Sequence, residues 1–427
     1  MFVKSLPHVV KIAAVLSGLL LATGAGAGET GPPGAEVQKL LNKAGVGGGL
    51  IVHLDCGKGR LAAELGAEGH HLVRGLERDM EEVRQAREYI ASRGLYGDVS
   101  VAHWTGEALP FASNLVDMII CPRQASVPRR ELMRVLSPGG VLCIERKDGW
   151  VTRTKSWPDE IDEWTHFLHD SSNNAVAEDT RVGPPKALQW KAPPRWARSH
   201  EFPSNVHAVV SADGRLFANV DQGIIGQPRG VPAQWTLAAR DAFNGLLLWK
   251  RPATRISPRN LVASGDKVYV TLQNGAPVSI LDAATGEKLA TCRGTENTKG
   301  IVVADGTVLC RGVDPKKQRR SGKKAQFVVA ADGDTGKVLW KQMENKVNGQ
   351  SLAALNGRVC YHTGNELVCR ELSTGELLWQ TSCGGTSYTV MHEGVVLCSG
   401  GGGTKAFSAE TGERLWSGLP RARSVPG

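Results

Sequence analysis

The sequence predicts a doubly wound, mostly parallel α/β domain followed by an all-β propeller of about five blades that stops short of a closed ring. Three observations carry this expectation. An apolar run, a glycine turn and a helical pattern follow one another over 49–65, and strand and helix patterns keep alternating to 145. A nine-residue unit then recurs five times from Asp241 onward, its last positions 41, 50, 39 and 37 residues apart, which is the period of a four-stranded blade. Between the two regimes lies a tryptophan-, histidine- and carboxylate-rich stretch over 157–180. The expected boundaries are a leader over 1–27, the α/β domain over 28–150, a connector over 151–186 and the propeller over 187–427.

The leader is read from Lys4 and Lys11, the apolar run over 12–21 and the small residues Ala25-Gly26-Ala27, the pattern of a cleaved signal peptide. Its apolar run is short for a bilayer span, and no later segment approaches the required length. An exported protein of the periplasm or cell envelope is therefore expected. The formal net charge is +9, from 51 basic and 42 acidic side chains, and loss of Lys4 and Lys11 lowers it by two. The densest basic patch, Lys316, Lys317, Arg319, Arg320, Lys323 and Lys324, has no interleaved aromatic residues to stack bases. It reads as a solvated loop, and no nucleic-acid partner is expected.

After a short helical pattern over 36–43, the strand over 49–54 runs into Asp55-Cys-Gly57-Lys-Gly59 and a helix. Glycine at 57 and 59 allows a sharp turn and close backbone approach to a ligand. The next strand ends at Glu77, placed to accept hydrogen bonds from a ribose. A helix over 80–92, strands over 99–102 and 116–121, a helix over 129–135 and a fifth strand to 145 complete the pattern, with no clear sixth or seventh strand.

This order resembles the class I S-adenosylmethionine (SAM)-dependent methyltransferases, with their Rossmann-like fold, over roughly 36–147. The matching motifs are Asp55-x-Gly57-x-Gly59, Glu77, Glu107-Ala-Leu-Pro-Phe111 and Arg134-Val-Leu-Ser-Pro-Gly-Gly140. The resemblance implies SAM along the strand ends. Asp55, Gly57, Gly59 and Glu77 would hold it, and Trp104, Thr105, Gly106 and Glu107 would lie beside the adenine. Three departures point to an altered site: Thr105 stands where the family has an adenine-binding Asp, the 117–138 segment is short, and the sheet ends early. No side chain stands out as a general base. Methyl transfer often needs only positioning of the acceptor.

The 157–180 stretch has helical character in its first half, with Pro158 at a first-turn position and Ile161, Trp164, Phe167 and Leu168 sharing a face. Asp162, His166, His169 and Asp170 then cluster on another side. They read as an interdomain clamp with Trp164 and Phe167 buried between the domains, and the alternative is a divalent metal site.

In the propeller, the units Asp241-Ala-Phe-Asn-Gly-Leu-Leu-Leu-Trp249, Asp282-Ala-Ala-Thr-Gly-Glu-Lys-Leu-Ala290, Asp332-Gly-Asp-Thr-Gly-Lys-Val-Leu-Trp340, Glu371-Leu-Ser-Thr-Gly-Glu-Leu-Leu-Trp379 and Ser408-Ala-Glu-Thr-Gly-Glu-Arg-Leu-Trp416 each read as a turn followed by an outer strand. Asp213-Gly214, Asp305-Gly306 and Asn356-Gly357 mark hairpins. Trp190 sits in what reads as an outer strand with no blade before it. The resulting picture is an open arc, from truncation or because a partner supplies the rest.

The units resemble the pyrroloquinoline-quinone (PQQ)-type repeat, shared by quinone-dependent dehydrogenases and by non-catalytic propellers such as outer-membrane assembly lipoproteins. The vicinal cysteine pair and calcium set of the dehydrogenases have no match here, which argues against bound PQQ. The nine cysteines form no CxxC, so buried free thiols are expected, with Cys360 and Cys369 able to pair across a turn. The whole chain resembles exported bacterial fusions of a methyltransferase-like domain with such a propeller. The functional expectation is a propeller binding or scaffold protein whose methyltransferase-like, nucleotide-binding domain is vestigial or binds a small ligand, with an active SAM-dependent methyltransferase and a PQQ-dependent oxidoreductase as alternatives.

Overall fold

The computed structural model describes residues 34–418, apart from 68–70, 107, 123–126, 182, 185–186, 194–204, 224–231, 315–324 and 401–402. The expected leader, the basic patch over 316–324 and Glu107 lie outside the described residues.

The first sheet is built from β1 (Gly49–Leu54), β2 (His71–Glu77), β3 (Val99–His103), β4 (Val116–Cys121), β5 (Leu136–Arg146) and β6 (Gly149–Thr154), in the order 3-2-1-4-5-6. The first five strands are parallel and β6 runs antiparallel to β5, so the expectation that strands end with the fifth is corrected. Gly149 at φ +109 makes the tight reversal that the motifs did not reveal. Helices α1 (Ala35–Ala44), α2 (Arg60–Ala67) and α3 (Met80–Ser92) cover one face through Leu40, Leu65 and Ile90, packed on Ile51, Val73 and Met118. Among the described residues the other face carries only the short α4 (Arg129–Val135), and Leu246 from the propeller packs into the same core. A sheet with one under-covered face must bury it against something. Here the first blade does so.

Five four-stranded sheets follow. The first comprises β7 (Val206–Ala212), β8 (Arg215–Asp221), β9 (Trp235–Asp241) and β10 (Leu247–Pro252). The second comprises β11 (Leu261–Ser264), β12 (Lys267–Val270), β13 (Val278–Asp282) and β14 (Lys288–Cys292). The third comprises β15 (Thr298–Ala304), β16 (Thr307–Val313), β17 (Gln326–Asp332) and β18 (Val338–Glu344). The fourth comprises β19 (Ala353–Leu355), β20 (Arg358–His362), β21 (Glu366–Glu371) and β22 (Leu377–Ser382). The fifth comprises β23 (Thr386–His392), β24 (Val395–Gly400), β25 (Gly403–Ser408) and β26 (Arg414–Gly418). Inner strands β7, β11, β15, β19 and β23 lie side by side, and no comparable contact returns from β23 to β7 among the described residues. The hairpin expectations hold: Asp213-Gly214, Asp305-Gly306 and Asn356-Gly357 all take positive φ at both positions.

One device joins neighbouring blades. The Trp249 indole donates to the Ala283 carbonyl at 2.9 Å, Trp340 to Leu372 at 2.8 Å and Trp379 to Ala409 at 3.0 Å. In each case the ring lies on the turn glycine three residues further on. A Cβ at Gly286, Gly375 or Gly412 would come within 2.5–2.6 Å of the ring. The second blade has Ala290 at that position, and its strand backbone closes the gap instead, with Thr291 O only 2.8 Å from a Cβ built on Gly336. Residues around Trp190 form no strand, contrary to expectation. Trp190 still acts as a blade tryptophan: its indole donates to Ala242 O at 3.0 Å and its ring covers Gly245. Among the described residues no such turn lies against Trp416, which is 49% exposed.

The 157–180 stretch is extended, not helical. Its polar backbone groups pair with the blades in place of an internal helical ladder. The Trp164 carbonyl accepts from Ser211 N at 2.8 Å, Thr165 from Ala263 at 3.0 Å, Ser171 from Ala354 at 2.8 Å and Ser172 from Met391 at 3.0 Å. His166 Nε2 accepts from Val303 N at 3.0 Å. These five donors lie on the innermost strands of the five successive blades. His169 and Asn173, at φ +67 and +61, turn the strap along the way. Trp164 and Phe167 are partly exposed, at 39% and 43%, so the expected burial between domains is also corrected. Arg259 stacks over the Phe167 ring at 4.7 Å.

Candidate functional site

The carboxyl ends of β1 and β2 bring the predicted residues together. Asp55, Gly57 and Gly59 all have positive φ, at 43°, 53° and 72°. A Cβ on Gly59 would lie 3.0 Å from Ala86 Cβ, so this glycine lets α3 close on the turn. Gly57 faces open space apart from Glu82 Oε2 at 4.0 Å. Glu77 is buried. Its carboxylate accepts from Gly57 N at 2.7 Å, Arg78 N at 2.6 Å and Asp79 N at 3.2 Å, which ties the glycine turn to the end of β2. Trp104 is buried, donates its backbone N–H to the Glu77 carbonyl at 2.9 Å and its indole N–H to Ala108 O at 2.8 Å. Thr105 and Gly106 are exposed beside it.

Arg78 is the residue that the sequence reading missed. Its Nε lies 3.2 Å from Asp55 Oδ1 and its guanidinium 5.0 Å from the centre of the Trp104 ring. It therefore spans the gap between the glycine turn and the end of β3. The glycine turn and Glu77 thus lie together at the strand ends, and Arg78 crosses from them towards Trp104, where Thr105 carries no carboxylate. Its one signal in the sequence was an arginine directly after the ribose-type acid.

The histidines of the strap are structural. The Nε2 lone pair of His166 is used by Val303 N–H, its Nδ1 lies 2.7 Å from Thr165 Oγ1, and burial pulls its imidazole down to about 4. His169 Nε2 bonds Asp162 Oδ2 at 2.7 Å. That arrangement leaves no convergent ligand set for a metal.

A cleft of about 540 Å³ lies at the opposite, amino ends of the parallel strands, between the first sheet and the first two blades. Asp117, Trp157, Arg215, Asp241, Phe243 and Glu287 are among its walls. Asp117 Oδ2 accepts from Leu50 N at 2.6 Å and from Asn244 Nδ2 at 2.8 Å, so one carboxyl joins the sheet to the turn of the first blade. Burial first, and the adjacent Asp241 second, push the Asp117 carboxyl well above its usual range. A carboxyl raised in the folded state stabilises at low pH, and that contribution is lost as pH climbs from the unfolded value of about 4 through the raised one. Stability of the seam is therefore expected to fall between about pH 5 and pH 8. Asp117→Asn, whose amide can donate to Asp241, should flatten this slope in thermal unfolding; an unchanged slope would assign it to other groups.

Comparisons with known proteins agree with the two halves. Residues 51–140 match the family described as a methyltransferase domain, and residues 324–426 match outer membrane protein assembly factor BamB. The ubiquinone/menaquinone biosynthesis C-methyltransferase UbiE of Yersinia pestis bv. Antiqua (strain Antiqua) is 30% identical over 113 residues, which are 25% of this chain and 41% of that relative. The chain thus spans less than half of that relative's length. Among solved structures, BamB from Moraxella catarrhalis is 20% identical with TM-score 0.36, covering 50% of this chain and 60% of its own. A putative S-adenosyl-L-methionine-dependent methyltransferase from Methanococcus maripaludis is 21% identical with TM-score 0.25, covering 26% of this chain and 54% of its own.

Proposed function

The chain fuses a methyltransferase-like domain to BamB-like propeller repeats, and from that premise we propose an exported propeller scaffold that binds an acidic partner, its methyltransferase-like domain being vestigial as an enzyme. One observation carries the binding role. Arg259 and Arg311 sit together at the mouth of the arc's axis, both pulled below the usual guanidinium value by burial, and neither forms an ion pair among the described residues. With His166 and Asn173 they line a hollow of about 20 Å³, room for a single carboxylate oxygen or water. Half-buried guanidiniums without a carboxylate are costly until an anion arrives. A fluorescent oligoglutamate peptide should bind at low salt and lose about tenfold or more in affinity in an Arg259→Ala, Arg311→Ala double variant. Equal binding by both proteins would remove this assignment.

The vestigial role rests on Arg78 and Thr105. Calorimetry with SAM and its demethylated product should show no heat of binding with the parent protein. If Arg78 is the obstruction, Arg78→Ala should bind measurably. The second reading, an active SAM-dependent methyltransferase, is favoured by Glu77 and the glycine turn, and micromolar affinity lost in Glu77→Ala would establish it. Export follows from the leader pattern alone and is tested by the mass of the protein recovered from the cell envelope. No observation favours PQQ binding.

A further inference from the structure

Between the fourth and fifth blades three soft ligands meet. His362 ends β20, Cys383 follows β22, and Cys398 lies in β24 of the next blade. All three are fully buried, and one ligand atom from each lies within 4.8 Å of the other two. The backbone around them is pinned. His362 N–H bonds Ser351 Oγ at 3.0 Å, Cys383 N–H bonds Asn365 O at 2.8 Å, and the Cys383 carbonyl accepts Lys405 Nζ at 2.7 Å. Thr389, which pairs with Cys398 across the strands, is buried at 1% exposure with its hydroxyl beside the Cys398 thiol.

We propose that His362, Cys383 and Cys398 form a three-residue zinc site that staples the fourth blade to the fifth. Two thiolates and an imidazole are a soft donor set of the kind zinc takes. Zinc–sulfur bonds of about 2.3 Å and zinc–nitrogen bonds of about 2.0 Å place tetrahedral ligand atoms roughly 3.5–3.8 Å apart. The observed spacing closes to that with small side-chain shifts. Charge selects the ion. Zn²⁺ with two thiolates is neutral, whereas a monovalent cation would leave a net negative charge in a seam that excludes water. Binding releases the two thiol protons, so affinity should increase with pH. The ordinary alternative is that buried cysteines act as small apolar residues, but that leaves the convergence of a buried imidazole on two thiols unexplained.

The test uses the full chain, purified in the presence of a non-thiol reductant and stripped with a chelator. One equivalent of Zn²⁺ should bind. Co²⁺ in its place should give tetrahedral visible bands and a thiolate charge-transfer band, and the melting temperature should rise with added zinc. Cys398→Ser should cost about 100-fold or more in zinc affinity, beyond what outer-shell changes cost. Cys292→Ser, at a buried thiol of the second blade, should leave binding unchanged. If Cys398→Ser does not fold, His362→Gln serves, and the parent cobalt spectrum is decisive by itself. No bound equivalent, a Cys383–Cys398 disulfide in protein prepared without reductant, or uptake of copper(I) in preference to zinc would each overturn the proposal.

Discussion

Replacing Trp379 by alanine lowers the stability of the propeller by about 3–5 kcal/mol, the range for removing a large aromatic from a packed seam. The side chain is 9% exposed, rests on Gly412 and spends its only donor on the Ala409 carbonyl. Its removal opens a cavity between the fourth and fifth blades and strips the turn of its cover. The converse change at the same contact is nearly as damaging. Gly412→Ala places a methyl 2.6 Å from the Trp379 ring at a φ of +75°, so the clash and the left-handed backbone together cost about 3 kcal/mol. Thermal unfolding followed by far-ultraviolet circular dichroism measures both, and Trp416→Ala is the control. Trp416 touches no turn glycine among the described residues and is half exposed, so its loss should change stability by less than about 1 kcal/mol. A large effect at 416 would mean that its face is covered in solution.

The second large effect is at the strap. His166→Ala leaves the Val303 N–H without its acceptor inside the arc and empties a buried imidazole, a combined loss of about 3 kcal/mol or more. His166→Gln keeps an acceptor and should recover part of it. The pH dependence has a definite sign. His166 is held at about 4 by burial, so its contribution is complete above the unfolded value of about 6.5 and is lost as pH falls through 4. His53, also buried and also lowered to about 4, acts in the same direction. In chemical denaturation across pH, His166→Gln should therefore show a shallower acid limb than the parent. If the two limbs are parallel, the acid loss arises elsewhere.

Local periodicity was legible in the sequence because each element carried its own signal. Asp55 to Gly59 and Glu77 were found from glycine spacing and a strand-end acid, and the structure places them around one turn. The five repeat units were found from their turn chemistry, and each proved to be a turn followed by an outer strand. What could not be read depended on partners far along the chain. The strap's Pro158 and its apolar spacing satisfy the rules for a helix, but Ser211, Ala263, Ala354 and Met391 take its carbonyls, and none of them is local. The final strand of the first sheet was missed because β6 carries alternating polar residues at an edge. Arg78 was overlooked because nothing in its neighbours requires it, and its importance appears only when Asp55 and Trp104 are brought to the same gap. The Asp117–Asn244 contact bridges residues that no single-segment pattern connects.

The strap has a consequence for how the arc comes apart. In ordinary repeat arrays each unit meets only its neighbours, so stability is close to a sum of local terms and one end can fray while the other persists. Here Trp164 to Ser172 bond in turn to all five inner strands, and a blade that opens withdraws a partner from a segment every other blade shares. Independent repeats thus become one cooperative unit. That unit is slow to form, because the strap has to wait for strands more than two hundred residues downstream, such as the one carrying Met391.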